Sequence, residues 1–241
     1  MKPLVDIITS AFNCDDFIEG YFIDLTSQTF FKQSTLTIVA PRPSAKLTKL
    51  TKFYQRQYEN INLISINGDH GISSCLNIAL LNTKAPFINI ANTDDRKRKD
   101  AIERLFLSIY LDDTIDLVYA RSLVSKFPNQ TFEAHTCDQL YPCYEFAGLR
   151  GLMKHNSPHC SPLWRRSIHE KVGFFDEELK SCADSDMWMK AAANGSQFKM
   201  VDEILGIYYD NPNGMSTRAE DWREREQEIK RKNKRYERLL E

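Results

Sequence analysis

The chain has 241 residues, of which 42% are apolar and 11% aromatic, so it can form a hydrophobic core and is not a disordered protein. Its 32 lysines and arginines nearly cancel its 33 aspartates and glutamates, which leaves a formal net charge of −1. Because phosphate neutralisation dominates the affinity of general nucleic-acid binders, this balance predicts that nucleic acid is not a partner.

The first half of the chain alternates between apolar runs and segments with helical periodicity. Buried strands are predicted at residues 4–9, 36–40, 62–66 and 86–91. Helices are predicted between them, at residues 18–25, 47–58 and 72–81. Strands separated by helices of this length predict parallel pairing, with ligands bound beyond the carboxyl ends of the strands.

The second half is less regular. Its pattern predicts helices at residues 100–110, 163–172 and 183–194 and strands at 116–124 and 201–209, whereas residues 126–162 give no clear pattern. The charged tail, residues 219–241, carries Trp222, Ile229 and Tyr236 seven residues apart, which predicts a helix with a narrow apolar stripe. We expect this helix to pack on the domain or on a partner, with a homo-oligomer through it as one alternative. A coiled coil is less favoured because each heptad lacks its second apolar position.

No part of the sequence has the composition of a membrane span or a secretory signal. No window approaches the roughly 20 apolar residues that a transmembrane helix needs, and Asp6 interrupts the short apolar run at the N-terminus. We therefore expect a cytoplasmic protein, with peripheral association with a membrane left open. The six cysteines are scattered without a CxxC pair, and we expect them to be reduced.

Two adjacent carboxylates, Asp94 and Asp95, closely follow the strand predicted at residues 86–91. Carboxylate oxygens are preferred ligands of Mg²⁺ and Mn²⁺, and Mg²⁺ fills its other positions with phosphate oxygens and water. The alternative is that the pair only caps the helix that follows. Its position at the carboxyl end of a buried strand favours a cation site.

Seven short motifs occur along the chain. They are IITSAFN at residues 7–13, LTSQTF at 25–30, GISSCLNIAL at 71–80, NTDD at 92–95, WRRS at 164–167, GFFDE at 173–177 and ADSDMW at 183–188. In this order they resemble the GT-A fold glycosyltransferases of family 2, a large inverting family that uses nucleotide sugars. The resemblance covers about residues 3–218, and the shared order carries more weight than any single motif.

The resemblance implies an α/β protein of GT-A fold, with a single Rossmann-like, mostly parallel central sheet flanked by helices and a charged C-terminal helix. Residues 1–218 would form the glycosyltransferase domain, with a nucleotide-sugar half at about 1–125 and an acceptor half at about 126–218, followed by the helix at 219–241. The implied reaction transfers a sugar with inversion from a nucleoside-diphosphate sugar, in the first place a UDP-sugar, to a hydroxyl of a glycan, lipid-linked or similar acceptor.

At the diphosphate, the resemblance implies that Mn²⁺ or Mg²⁺ neutralises the leaving group as a Lewis acid. Asp95 would bind this cation and Asp94 would contact the ribose. Arg218, together with Ser216, resembles a C-terminal loop that closes over the diphosphate, a task for which the guanidinium is well suited.

For the nucleoside, the resemblance implies a pocket lined by Thr9, Ala11 and Phe12. The base-binding aspartate of the family is missing from residues 40–44. Arg42, Asp69 or the backbone would then hold the base, unless the donor itself is unusual.

On the acceptor side, the resemblance implies that Asp184 is the general base that removes the proton of the attacking hydroxyl. Asp186 is its competitor, but two residues correspond to roughly 200° around a helix, so both cannot face one acceptor. Four further residues either face the acceptor or are structural: His159, Ser161, Trp164 and Arg165.

Two other classes of protein are weighed against this interpretation. A nucleotidyltransferase would open with a glycine-rich phosphate loop, and residues 10–16 contain no glycine. A non-catalytic nucleotide-sugar-binding protein or partner subunit would explain the missing base-binding carboxylate, and also Ala183 at a position where the family has a glutamate.

Overall fold

The computed structural model describes residues 2–68, 70–214, 217 and 222–239. Within these residues the strands are β1 Val5–Ser10, β2 Ser34–Pro41, β3 Ile61–Ile66, β4 Phe87–Ile90, β5 Arg96–Lys97, β6 Leu117–Ser125, β7 Gln139–Leu140, β8 Leu163–Arg165 and β9 Phe198–Tyr209. The α-helices are α1 Ile18–Thr26, α2 Ala45–Gln55, α3 Ile72–Leu81, α4 Ala101–Tyr110, α5 Gly148–Lys154, α6 Ser167–Val172, α7 Ala183–Ala193 and α8 Trp222–Glu237.

The strands form one mixed sheet in the order β3-β2-β1-β4-β8-β6-β9-β5, and β7 pairs with β6. The four strands of the first half are parallel neighbours, as the sequence predicts. In the second half β8 lies antiparallel between β4 and β6, and β6 pairs in parallel with β9. The predicted α/β class with a mostly parallel central sheet and a C-terminal helix is confirmed.

Helices cover both faces of the sheet, which explains why the residues of its central strands β1 and β4 are buried on both faces. In β1, Ile7 packs into a core with Phe22 of α1 and Leu105 of α4. The next residue, Ile8, points to the opposite face and packs into a second core with Leu76 of α3 and Trp188 of α7. The carboxyl ends of β1, β2 and β4 therefore lie side by side between these two layers.

The helix predicted at residues 163–172 is wrong in its first part. The residues of β8 form a strand, in which Trp164 pairs with Ile88 of β4 and with Leu117 of β6. Helix α6 begins only at Ser167. A short apolar run has no periodicity that separates a buried strand from a buried helix, and here the gap between two strands decides.

The same strand corrects the prediction that Trp164 faces an acceptor. Its side chain is completely buried, and its Nε1 donates a hydrogen bond of 3.0 Å to Nε2 of His169. Nδ1 of His169 lies 2.9 Å from the carbonyl oxygen of Gly173, so the neutral imidazole satisfies both contacts. Trp164 is a core residue because β8 has sheet neighbours on both sides.

We expect His169 to make the stability of the protein depend on pH. Burial, reinforced by the charge of Arg166, lowers the pKa of His169 from 6.5 to about 4. Between these values the unfolded chain binds the proton and the folded chain does not, so stability is lost as the pH falls through this range. The loss should reach about 3 kcal/mol by pH 4. Urea unfolding at several pH values measures it; the His169→Gln variant should lack this component, and a matched change at exposed His70 should retain it.

A buried ion pair ties the amino end of β1 to the start of α6. Nη2 of Arg166 donates to Oδ2 of Asp6 at 2.7 Å, and the same carboxylate oxygen accepts from the backbone N–H of Ala85 at 2.6 Å. Removing one partner of such a pair leaves a buried charge without compensation. We expect Arg166→Met to lower the free energy of unfolding by about 3 kcal/mol, whereas the same change at exposed Arg56 should leave it nearly unchanged. Urea titration of both variants tests this.

Helix α8 packs on the domain, as one of the two alternatives from the sequence predicts. Its apolar stripe is used within the chain, because Ile229 packs against Leu179 and Cys182 and Tyr236 is buried in the core that contains Trp188. Pairing of two copies through this stripe would expose Tyr236, so the predicted homo-oligomer through it is not supported. Among the described residues, no helix is long and apolar enough to cross a membrane.

Candidate active site

The turn that follows β4 holds the acidic pair at the edge of the sheet where β1 and β2 also end. Asp95 is buried, and both of its carboxylate oxygens are engaged. Oδ2 accepts a 2.8 Å hydrogen bond from Nδ2 of Asn92, and Oδ1 accepts one of 3.1 Å from the backbone N–H of Tyr209 in β9. Asp95 therefore ties the turn to the neighbouring strand.

Asp94 is the accessible carboxylate of the pair. It is half-buried, and its Oδ2 lies 3.5 Å from Nδ2 of Asn211, a weak contact. Burial, together with the adjacent charge of Asp94, raises the pKa of Asp95 to about 7. The predicted division, with Asp95 on the cation and Asp94 on the ribose, stays a prediction; of the two carboxylates, Asp94 has the more exposed surface.

A cavity of about 420 Å³ lies beside this turn, between the loop after β1 and the loop after β2. We call it the nucleoside cavity; it is lined by Ala11, Phe12, Asn13, Cys14, Asp15, Asp16, Pro41, Arg42, Pro43, Ser44 and Leu47. Ala11, Phe12 and Arg42 thus line one cavity, and 62% of the Phe12 surface is exposed. Thr9 does not join them, because it is fully buried and its hydroxyl donates to the carbonyl oxygen of Ala91.

The nucleoside cavity contains two carboxylates, Asp15 and Asp16, that the sequence analysis did not single out. Asp15 lies on its wall, and its Oδ1 accepts a 2.5 Å hydrogen bond from the hydroxyl of Ser44, the residue that caps α2. The loop after β2 lacks an acid, but the loop after β1 supplies one in the same cavity. The sequence offered no way to find this, because Asp15 is one of two adjacent acids in a polar turn. Neither stands at the position after β2 where the family's base-binding aspartate is expected.

A second cavity of about 160 Å³ lies on the other side of the turn after β4. We call it the acceptor cavity; its lining includes Ile72, Asn92, His159, Ser181 and Asp184. Asp184 is half-buried in the first turn of α7, where its Oδ2 accepts a 2.7 Å hydrogen bond from Nδ2 of Asn156. Asn156 lies in the region that the sequence could not assign, and its role was missed.

His159 closes one wall of the acceptor cavity. Its ring stacks on Tyr141 with the ring centres 4.5 Å apart and meets Tyr208 edge-on at 4.8 Å. Burial lowers the pKa of His159, although the charge of Asp184 opposes the effect. The imidazole is therefore neutral near pH 7 and can donate or accept a hydrogen bond.

Two remaining predictions fail in the structure. Asp186 does not face the cavity: it is buried, and its Oδ1 accepts a 2.9 Å hydrogen bond from the hydroxyl of Tyr236. Arg165 binds the end of α4 through the carbonyl oxygen of Ile109, 2.9 Å from its Nη2. Asp69, Ser216 and Arg218 lie outside the described residues.

No family model matches the chain, but curated proteins and solved structures do. In sequence it is 24% identical over 230 residues to the uncharacterized glycosyltransferase EpsJ of Bacillus subtilis, which covers 90% of this chain and 64% of that protein. The fold matches TarS 1-349 of S. aureus in complex with UDP-GlcNAc with a TM-score of 0.75 at 18% identity, over 96% of this chain and 66% of that one. It also matches the mannosyltransferase PcManGT from Pyrobaculum calidifontis in complex with GDP-Man and Mn²⁺ with a TM-score of 0.64 at 14% identity, over 89% and 59%.

The fold is thus that of the GT-A glycosyltransferases. The chain spans about two thirds of the length of EpsJ and of TarS 1-349, so those proteins contain a further third that this chain does not match.

Proposed function

We propose that this protein is a nucleotide-sugar-dependent glycosyltransferase that transfers its sugar with inversion and uses a divalent cation. The observation that carries the proposal is the accessible carboxylate of Asp94 in the turn after β4, the turn whose residue Asn92 lines the acceptor cavity. The nucleoside cavity lies at the same edge of the sheet, between the loops after β1 and β2. A nucleoside on one side and a sugar acceptor on the other would place the diphosphate at Asp94.

The residues at this turn fit a divalent cation. The described residues contain no group of three His, Cys, Asp or Glu side chains that could hold a metal by themselves. Mg²⁺ and Mn²⁺ sites of nucleotide enzymes need only one or two carboxylates, since substrate phosphates and water complete them. Asp94 would supply that carboxylate, and Asp95 lies directly behind it, where burial and the charge of Asp94 raise the pKa of Asp95. Bound there, the cation would stabilise the negative charge that develops on the leaving diphosphate.

Asp184 is the group that would accept the proton of the attacking hydroxyl. It lies on the wall of the acceptor cavity together with Asn92, which precedes Asp94 by two residues. The hydrogen bond from Asn156 fixes the carboxylate. A general base on the side of the sugar opposite to the diphosphate permits one in-line displacement, and a single displacement inverts the anomeric centre.

The nucleoside cavity has the groups to bind a base and a ribose. Phe12 offers an exposed aromatic face for stacking, and base–aromatic stacking is worth about 1–3 kcal/mol. Asp15 would accept hydrogen bonds from an N–H of the base or from the ribose hydroxyls. These groups do not separate a uridine from a guanosine donor, and the two matched structures hold UDP-GlcNAc and GDP-Man respectively.

The test is a screen of UDP-, GDP-, CMP- and TDP-sugars with Mn²⁺ or Mg²⁺, with glycan and lipid-linked acceptors, that follows release of the nucleotide. We expect one nucleotide class to bind and to be consumed in a cation-dependent reaction, and the configuration of the product, followed by NMR, to be inverted. Absence of binding by every nucleotide sugar would contradict the proposal. Binding without turnover would favour the non-catalytic alternative.

A further inference from the structure

Helix α8 buries charged side chains against the residues that precede and begin α7. Glu228 and Lys232 are both at most 5% exposed, and with Tyr236 they are spaced four residues apart on one face of the helix. Burying an ionised group is costly unless it is paired and hydrogen-bonded. The contacts of these three side chains indicate what this face of the helix does.

Glu228 caps the amino end of α7 from a different helix. Its carboxylate accepts hydrogen bonds from the backbone N–H groups of Lys180, Ser181 and Cys182 at 3.1, 2.8 and 3.0 Å. Cys182 is the residue before the first turn of α7 and forms no cap with its own side chain. These N–H groups belong to the residues that lead into α7, and a carboxylate at this place also lies at the positive end of the helix dipole. Burial alone would raise the pKa of Glu228, but the hydrogen bonds from the thiol of Cys182 and from the three N–H groups outweigh it and hold the pKa below its usual value.

The next two turns of α8 contact Ser185 and Asp186, the two residues that follow Asp184. Nζ of Lys232 donates to the hydroxyl of Ser185 at 2.7 Å, and the hydroxyl of Tyr236 donates to Oδ1 of Asp186 at 2.9 Å. The backbone on both sides of Asp184 is therefore attached to α8. The described residues that line the acceptor cavity include none from α8, so the helix acts from behind this wall.

We propose that α8 is a positioning element for the active site, in which Glu228 fixes the residues that lead into α7 and Lys232 holds Ser185 in its first turn. The inference rests on the proposed role of Asp184 as general base. Glu228 and Lys232 are positioning residues, because they act on the reacting groups through α7.

The experiment compares buried and exposed positions of the same helix. We expect Glu228→Ala to lower kcat about tenfold to a hundredfold, with the KM for the donor within about twofold, because only the orientation of the base is disturbed. Glu228→Gln should recover part of this loss, since its amide oxygen can still accept from the loop. Lys232→Met should also lower kcat with the KM for the donor within about twofold, because Ser185, the residue after Asp184, loses its hydrogen bond to α8. Glu226→Gln and Lys230→Met, at exposed sites that pair with each other at 2.8 Å, serve as matched controls.

Failure of this inference differs from failure of the proposed function. If the wild type turns over and Asp184→Asn is inactive, but kcat is unchanged in Glu228→Ala and Lys232→Met, then α8 is only a structural support. If Glu228→Ala does not fold, Tyr236→Phe removes a single hydroxyl, and faster hydrogen exchange at residues 181–186 with a reduced kcat should still be seen. If the wild type consumes no nucleotide sugar, the proposed function itself is wrong.

Discussion

Asp184→Asn will lower kcat by about two to four orders of magnitude while donor affinity changes by less than about twofold. A positioned general base contributes about 10²–10⁴-fold to a rate, and an amide cannot accept the proton. The substitution preserves shape and hydrogen bonding, because the amide oxygen can still accept from Nδ2 of Asn156, which now donates to the carboxylate at 2.7 Å. Steady-state kinetics together with donor binding by calorimetry measure the two effects separately.

Two controls make this result specific. Glu59→Gln changes an exposed carboxylate that is distant from Asp184 in the sequence, and it should leave kcat unchanged. Asp186→Asn should lower stability more than activity, because the carboxylate of Asp186 is buried beneath Tyr236. Full activity of Asp184→Asn would assign the base to another residue, and loss of donor affinity would mean that Asp184 binds the donor instead.

Asp94→Ala will remove the dependence of the reaction on a divalent cation, together with nearly all activity. The cation supplies several kcal/mol of stabilisation to the developing charge, which corresponds to a loss of about a thousandfold or more. Titration of Mn²⁺ in the presence of the donor nucleotide, followed by calorimetry, should show weak or no binding to this variant. Its thermal stability should be close to that of the wild type, because Asp94 makes only a long contact with Asn211.

Asp95→Asn provides the contrast. Its amide can match only one of its two present donors, the side chain of Asn92 and the backbone of Tyr209, so the fold should lose about 1–3 kcal/mol. Cation affinity should fall less than in Asp94→Ala, since Asp95 contributes only its charge. If Asp95→Asn abolishes the cation response and Asp94→Ala does not, the division that the sequence predicts is the right one.

The cores of the two helix layers explain which parts of the fold were predictable. In β1 and β4 nearly every residue is buried, and the apolar residues of the helices between them recur at helical spacing, so local pattern and final structure agree. For the residues of β8, the local sequence pattern and the final structure do not agree. Its neighbours, β4 and β6, are about 75 and 45 residues away in the sequence, and only their pairing makes it a strand.

The candidate site likewise has one part that the sequence predicts and one part that it does not. Motif order located the turn with Asp94 and Asp95 and the first turn of α7 with Asp184, because each occurs within a few residues of a recognisable element. Which member of an acidic pair is accessible depends on partners far along the chain. Asp95 is fixed by Tyr209 and Asp186 by Tyr236, and neither tyrosine can be connected to its aspartate by spacing.

The sequence by itself determined the fold class, the parallel pairing of the first strands and the two candidate acidic positions of the site, because hydrophobic periodicity and short motifs are local properties. Only the tertiary structure decided which carboxylates are free to act. It brought Asp15 into the nucleoside cavity, removed Thr9, Trp164 and Asp186 from the site, and set Glu228 at the amino end of α7. Burial and hydrogen bonding depend on residues distant in the chain, and they determine whether an aspartate is a ligand, a base or a structural anchor.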